Sequence, residues 1–373
     1  MLIIMKFTCT QENLNKALAL VSHVASRSAT LPILNNVLLE VKNGMINLNS
    51  TNLEIGINTN LRGKVEKEGS FTVQAKLLAD YINLLPKENV EIELKDQTLY
   101  VKSKNQETYV KGLDSNDFPV IPEVEKGEPL VVKSVDLRQA LNQVMFAVTL
   151  DESRPEISGV LFLINKTALV LVGTDSYRLA EKKITFINPA TEEKQIIVPL
   201  RTLQELSRIL NEVEGSETNI YVNDSQILFS LNGEVELISR LIEGQYPDYQ
   251  QIIPTEFKSQ IKIRVDELIR AIKSVSLFCK PGINDVKFSF LSHKKELVIS
   301  AANSGVGENT VTLPIDISGN DNEVVFNYRY FLDGLNNLGS AEATIEMVND
   351  SAPGVVKPAG QDSYLYIVMP IRQ

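Results

Sequence analysis

Tryptophan is absent from the 373 residues, and cysteine and histidine occur only twice each. Cys9 and Cys279 sit far apart, which fits thiols kept reduced in a cytosol better than a disulfide framework. With His23 and His293 the only imidazoles, histidine-dependent metal sites and Ser-His-Asp catalysis are disfavoured. No CxxC or HExxH occurs, and no phosphate-cradling glycine motif stands in a strand-to-helix setting, so neither a metal nor a nucleotide cofactor is expected. No apolar run approaches the roughly 18 residues that cross a bilayer, so no membrane partner is expected. The opening MLIIMKFTCT has no basic segment before its apolar patch and no small-residue cleavage site. No signal peptide is therefore expected, Met5 is a candidate start, and the expected location is the cytoplasm.

Basic charge is also in short supply. The 37 Lys and Arg face 47 Asp and Glu, a formal net charge of −10. Phosphate affinity normally comes from a surplus of cations, so the overall balance speaks against nucleic-acid binding and must be answered by any such reading.

What is present is a pattern that occurs three times. Leu14, Leu18 and Val21 fall at i, i+4, i+7, as do Leu137, Leu141 and Val144, and then Leu268, Ile272 and Val275. Each trio is the apolar stripe of an amphipathic helix. A pair of β-branched or alternating strands follows each stripe: NNVLLEV with MINLNSTN, GVLFLIN with ALVLVGTD, DVKFSFL with ELVISAAN. The second strand ends each time in Thr51-Asn52, Thr174-Asp175 or Ala302-Asn303. A second helix enters from a short apolar strand end at Val73, Val198 and Phe326, and each copy closes near Phe118-Pro119, Tyr246-Pro247 or Met369-Pro370. The first-helix offsets are 123 and 131 residues, a domain-sized period. The fold class read from this is α+β: three tandem domains, 1–126, 127–256 and 257–373, each with two helices on antiparallel sheets.

MKFT (5–8), TLPILNNVLLEV (30–41), DFPVIP (117–122), GTDSYRLA (173–180), SRLIEGQYPDY (239–249) and IVMPIR (367–372) together resemble the bacterial DNA polymerase III beta subunit family over essentially the whole chain. The resemblance implies a non-catalytic sliding clamp: a head-to-tail homodimer, six similar domains around duplex DNA, tethering a polymerase during replication and repair. It implies as partners a second copy of the chain, double-stranded DNA, the polymerase III alpha subunit, a clamp loader, and other polymerases and repair proteins that carry clamp-binding motifs. The family pattern usually carries His where Tyr177 stands.

The resemblance also assigns residues. A strand edge at Thr108 and Val110 is expected to meet Leu277 and Phe278 of the other subunit; the alternative for Leu277 and Phe278 is ordinary core at a helix end. A peptide pocket is expected from Ile157, Thr174, Ser176, Tyr177, Arg178 and Leu179, from Pro247 and Ile252, and from Asn327 and Tyr330. The chain end, Ile367, Met369, Pro370, Ile371 and Arg372, completes it, with Arg178 or Arg372 holding a polar end of the partner. The alternative for this tail is a plain edge strand. The helices would line the hole. Their segments, 10–26, 74–85, 133–148, 199–213, 264–280 and 327–338, hold eleven basic and eight acidic residues, so they are net positive while the rest of the chain is strongly negative. The DNA contacts expected are Lys76, Arg138, Arg201, Arg208, Arg270 and Lys273 on helices, with Arg27 and Arg154 on loops. Both signs occur on each helix, and a solvated charged face is the plain alternative.

Other clusters read as structure. Asp114 and Asp117 suit a turn, Asp175 with Arg178 a polar dyad or a strand-end cap, Gly305 and Gly307 a flexible loop, and the two cysteines small buried hydrophobes. Two rival functions are an acidic, Mg-dependent phosphate-transfer enzyme and a purely structural repeat protein. A processivity assay with metal dependence separates the clamp from the enzyme, and a structural repeat protein would neither stay on circular DNA nor bind replication peptides.

Overall fold

The computed structural model describes residues 3–25, 31–149, 151, 153–213 and 215–372. Among them are six α-helices: α1 (Gln11–Ser22), α2 (Ala75–Leu84), α3 (Ser134–Met145), α4 (Leu200–Glu212), α5 (Val265–Ser276) and α6 (Tyr328–Asn336). The expected stripes of α1, α3 and α5 are all buried. Thr10 caps α1 by accepting the Asn13 amide at 3.3 Å. The expected hairpins form as well: Asn36–Lys42 with Met45–Thr51, Gly159–Ile164 with Ala168–Thr174, and Asp285–Leu291 with Glu296–Asn303. Asn43 and Gly44 both take positive φ in the first of these turns, the twist a two-residue hairpin needs.

Each repeat builds two small antiparallel sheets with its helices. One sheet contains the repeat's first strand and its last three; the other contains the hairpin pair, the strand after it and the strand that enters the second helix. Two short polar strands, Lys64–Lys67 and Asp316–Gly319, lie outside the sequence pattern. Each pairs with the first strand of its own repeat.

The repeats are fused by main-chain ladders. Ile55–Leu61, the third hairpin-sheet strand of the first repeat, pairs with Val235–Arg240, the last strand of the second. In the same way Arg178–Thr185 of the second pairs with Tyr364–Val368 of the third. These joints create sheets of thirteen and nine strands, and a four-stranded sheet completes the third repeat. The compact units therefore cut across the repeats: Met1–Ser134 with Gln204–Leu241, and Val135–Leu203 with Ile242–Gln373. The thirteen-stranded sheet belongs to the first unit and the other two to the second. A shorter link of constant position joins the two sheets within each repeat, at Val73–Gly112, Ile197–Ile242 and Phe326–Pro370.

This topology places the C-terminal strand. Tyr364–Val368 is the edge of the third repeat's own sheet, bonded there to Gly354–Pro358, and it becomes interior by pairing with Arg178–Thr185 of the second repeat. Sequence shows only that the strand is apolar, not that a second repeat covers its edge. Of the strands equivalent to those in the two joints, two are without such a partner in the described chain. Residues 106–111 pair only with Thr98–Ser103, and Gly307–Pro314 pairs only with Glu296–Asn303.

One buried charge sits in the first unit. Glu93 is 4% exposed, with Lys6 Nζ 2.8 Å from its Oε1 and Lys95 donating to its Oε2. The ammonium of Lys6, then that of Lys95, holds the carboxyl down at about 2. A folded value below the unfolded one means the pair stabilises fully above the ordinary carboxylate range and loses that effect as pH falls from about 4.5 towards 2. Glu93→Gln should destabilise the protein by about 2–3 kcal/mol at pH 7. That difference should shrink steadily between pH 5 and pH 2, as read by urea unfolding at each pH; a constant difference would show that the ion pair contributes nothing.

Candidate functional site

The turn after Ala168–Thr174 sets up a cavity. Thr174 Oγ1 donates to the Arg178 carbonyl at 2.6 Å, and Asp175 Oδ1 accepts the amides of Tyr177 and Arg178 at 3.0 Å each. Ser176 is held at φ 78° by this net. The Met369 amide then donates to the Tyr177 carbonyl at 2.9 Å, bringing the chain end alongside. Ile157, Leu179 and Ile367 form a buried floor, while Pro247, Ile252 and Met369 stand around a cavity of about 190 Å³. Tyr246 and Tyr249 anchor the adjoining linker: Tyr246 Oη donates to Val172 O at 3.2 Å and Tyr249 Oη to Glu181 at 2.6 Å. Burial and the Glu181 contact raise the Tyr249 phenol far above its ordinary value, so it stays a donor.

Nine of the expected pocket residues line this cavity: Ile157, Thr174, Ser176, Arg178, Leu179, Pro247, Ile252, Ile367 and Met369. Tyr177, Asn327, Tyr330, Pro370, Ile371 and Arg372 stand outside its lining. Tyr177 is 63% exposed and stacks on Tyr330 with ring centroids 6.3 Å apart. Asn327 instead caps α6, its Oδ1 accepting the Arg329 amide at 3.0 Å. Three lining residues were not assigned to the pocket from sequence: Asp248, Tyr249 and Arg154. The first two follow Tyr246-Pro247 directly, so that aromatic–proline pair was their available signal.

Arg178, which lines the cavity, is also tied within the chain. Its side chain is 12% exposed, its Nε donates to Asp175 Oδ2 at 2.9 Å and its Nη1 to Asp333 Oδ2 at 2.5 Å. The guanidinium also lies 4.7 Å from the Tyr330 ring centroid. Asp333 is brought there because α6 lies close against Tyr366: a Cβ at Gly334 would come within 2.2 Å of that ring. Both roles suggested for Asp175, a cap and a partner of Arg178, are therefore filled at once.

The expected DNA contacts separate into groups. Lys76, Arg201 and Lys273 are exposed, and among the described residues no acid pairs with them. Arg270 is exposed and pairs with Asp266 one helical turn away at 3.3 Å; Arg138 is half-buried. Arg208 is corrected: it bonds Glu205 and Glu212 and donates to the Ala19 and Leu20 carbonyls of α1, so it fastens α4 to α1. Arg154 Nη1 donates to Ser176 Oγ at 2.8 Å, which puts it on the rim of the cavity. Arg27 lies outside the described residues.

At the free edges, Tyr109 and Leu277 are exposed at 65% and 76%. Leu277 is thus not core, whereas Val110 is buried within its own chain and Thr108 is half-buried. Phe278 is half-buried beside Gly307, at the start of the free strand. Burial pushes the thiols up, Cys9 to about 12 and Cys279 to about 11, so neither is a nucleophile near neutral pH. Among the described residues no three His, Cys, Asp or Glu side chains gather to hold a metal, and no helix is long and apolar enough to cross a membrane.

Three like repeats joined strand to strand define a clamp-type protein. Its three segments match the N-terminal domain of the DNA polymerase III beta subunit over residues 5–122, the central domain over 131–248 and the C-terminal domain over 250–372. The chain is 31% identical to the beta sliding clamp of Synechococcus elongatus, over 99% of each chain. It is 30% identical to that of Staphylococcus aureus, over 93% of this chain and 94% of the other. A crystal structure of the Bacillus subtilis DNA polymerase sliding clamp superposes with a TM-score of 0.93 at 26% identity, over 99% of both. The Pseudomonas aeruginosa DNA polymerase III subunit beta gives 0.93 at 29%, over 99% of this chain and 100% of that one. The chain belongs to the DNA polymerase III beta subunit family. It is a sliding clamp, a non-catalytic processivity factor of DNA replication.

Replacing Arg178 by Met tests its role in the site. Asp175 and Asp333 would face each other without a counter-charge, and the expected loss is about 1–3 kcal/mol in thermal or urea unfolding. Unchanged stability would instead mark Arg178 as a cation held free for a partner.

Proposed function

We propose that two chains close head to tail into a ring of six domains, divided at 126/127 and 256/257, that encircles duplex DNA in the cytoplasm. The observation that carries this reading is the pair of open edges. Within the chain, the third hairpin-sheet strand of one repeat twice meets the last strand of the next. The strands left over are the last strand of the first repeat and the third hairpin-sheet strand of the last, residues 106–111 and Gly307–Pro314. Joining them between chains repeats the internal joint and satisfies both edges. Thr108 and Val110 lie on one strand, and Leu277 and Phe278 end the helix next to the other. Leu277→Glu with Phe278→Glu should give folded monomers in sedimentation at micromolar concentration, because charges buried at a seam without partners cost several kcal/mol. A persisting dimer would remove these residues from the interface.

The helices supply the DNA-facing cations in this reading: Lys76, Arg138, Arg201, Arg270 and Lys273. Arg208 and Arg154 are withdrawn from that set because their guanidinium groups are engaged elsewhere. A ring held on by topology needs only weak, mobile phosphate contacts, so an overall charge of −10 is compatible with sliding. Loaded protein should stay on circular duplex and leave when the circle is cut. Its affinity for linear duplex should be weak and fall steeply with salt. Tight, salt-insensitive binding to one linear sequence would contradict sliding.

The cavity beside Thr174–Leu179 takes a short partner peptide that inserts a Leu or Phe anchor, with Arg154 on its rim. Its users are the polymerase III alpha subunit, the clamp loader, and other polymerases and repair proteins that carry such motifs. Tyr177, Tyr330, Pro370, Ile371 and Arg372 extend the contact beyond the cavity itself. Deleting Met369–Gln373 removes the Met369 wall and leaves strand Tyr364–Val368 in place. Peptide binding should be lost while the dimer remains; unchanged affinity would rule this pocket out.

A further inference from the structure

The turn that builds the peptide cavity is repeated one repeat earlier. Thr51 Oγ1 donates to the Ile55 carbonyl at 2.9 Å, as Thr174 does to Arg178. Asn52 Oδ1 accepts the amides of Glu54 and Ile55 at 3.0 and 2.8 Å, as Asp175 does those of Tyr177 and Arg178. Leu53 has φ 77°, against 78° at Ser176. The Arg240 amide donates to the Glu54 carbonyl at 3.1 Å, just as Met369 donates to Tyr177. Ile238 stands opposite Gly56 as Ile367 stands opposite Leu179.

These correspondences enclose a second cavity, about 230 Å³, between this turn, the linker Val120–Pro122 and the strand end at Ile238–Arg240. Its side chains differ in kind. Leu53 stands for Ser176, Gly56 for Leu179 and Arg240 for Met369. The space above Gly56 is taken by Ile121, whose Cγ2 would be 2.7 Å from a Cβ at residue 56. Leu53 and Val120 are both exposed, and a leucine at positive φ is a strained arrangement of the sort that collects at functional positions. Arg240 is exposed on the rim, and among the described residues no acid pairs with it.

We propose that this cavity is a second docking pocket for a short peptide, one that offers an aliphatic anchor next to a carboxylate. The anchor would sit among Leu53, Ile121 and Ile238, and the carboxylate would meet Arg240. The choice of occupant comes from charge complementarity with the unpaired guanidinium. It rests on the reading that the Thr174–Leu179 cavity is a peptide site.

The test is a methyl-NMR titration of the full chain with acetyl-Asp-Leu-Ala-Leu-Asp-amide. Ile121 and Ile238 report the new pocket; Ile252 and Ile367 report the other. Both sets should shift, and Arg240→Glu should weaken the Ile121/Ile238 response about tenfold while sparing the second set. Deleting Met369–Gln373 should do the reverse. The proposal is overturned if Ile121 and Ile238 stay still while Ile252 and Ile367 saturate, or if their shifts ignore Arg240→Glu. If only Ile121 and Ile238 move, the new pocket stands and the earlier peptide reading falls; if neither set moves, both fall.

Discussion

A strand edge with unpaired amides and carbonyls has to be satisfied by something, and this molecule is organised around that requirement. Each repeat offers two strands for joining, the third of its hairpin sheet and its last. The internal joints use four of these strands by continuing one repeat's sheet into the next, at Ile55–Ser239 and Arg178–Val368 among other pairs. Because a ladder fixes register and direction, the fused repeats inherit a defined relation from backbone hydrogen bonds rather than from particular side chains. The first and last repeats each retain one joining strand without such a partner. Closure between chains is the same physical event carried out once more.

Charge is distributed to suit that architecture. Acidic residues dominate the chain, yet Lys76, Arg201 and Lys273 project from helices without acidic partners among the described residues. Other cations are spent on cohesion. Arg208 ties α4 to the carbonyl end of α1, where a cation complements the helix dipole, and Arg178 joins the Asp175 turn to α6. Net charge alone was a poor guide, since it sums groups that perform different tasks.

The helices and hairpins were legible because their signals are local. Leu14, Leu18 and Val21 show a helical period, and Lys42-Asn43-Gly44 carries its own turn chemistry. Lys64–Lys67 and Asp316–Gly319 were not legible, being four residues long and mostly exposed, with no alternation to read. Sequence also could not show that Tyr364–Val368 is interior, because its two neighbours lie far away along the chain. Site residues divide along the same line. The GTDSYRLA turn identifies its pocket, but whether Arg178 is free depends on Asp333, 155 residues on. The place of Arg154 on the cavity rim was not legible for a like reason: its partner Ser176 is brought near only by the fold.

The claim on which the rest depends is that the two open edges are paired in solution. Amide hydrogen exchange measures this directly. The amides of residues 106–111 and 307–314 that lack an acceptor within the chain should exchange as slowly as those of the internal joints at 55–59 and 178–182. Exchange at the rate of solvent-exposed edge amides, at concentrations where the protein is functional, would contradict the account.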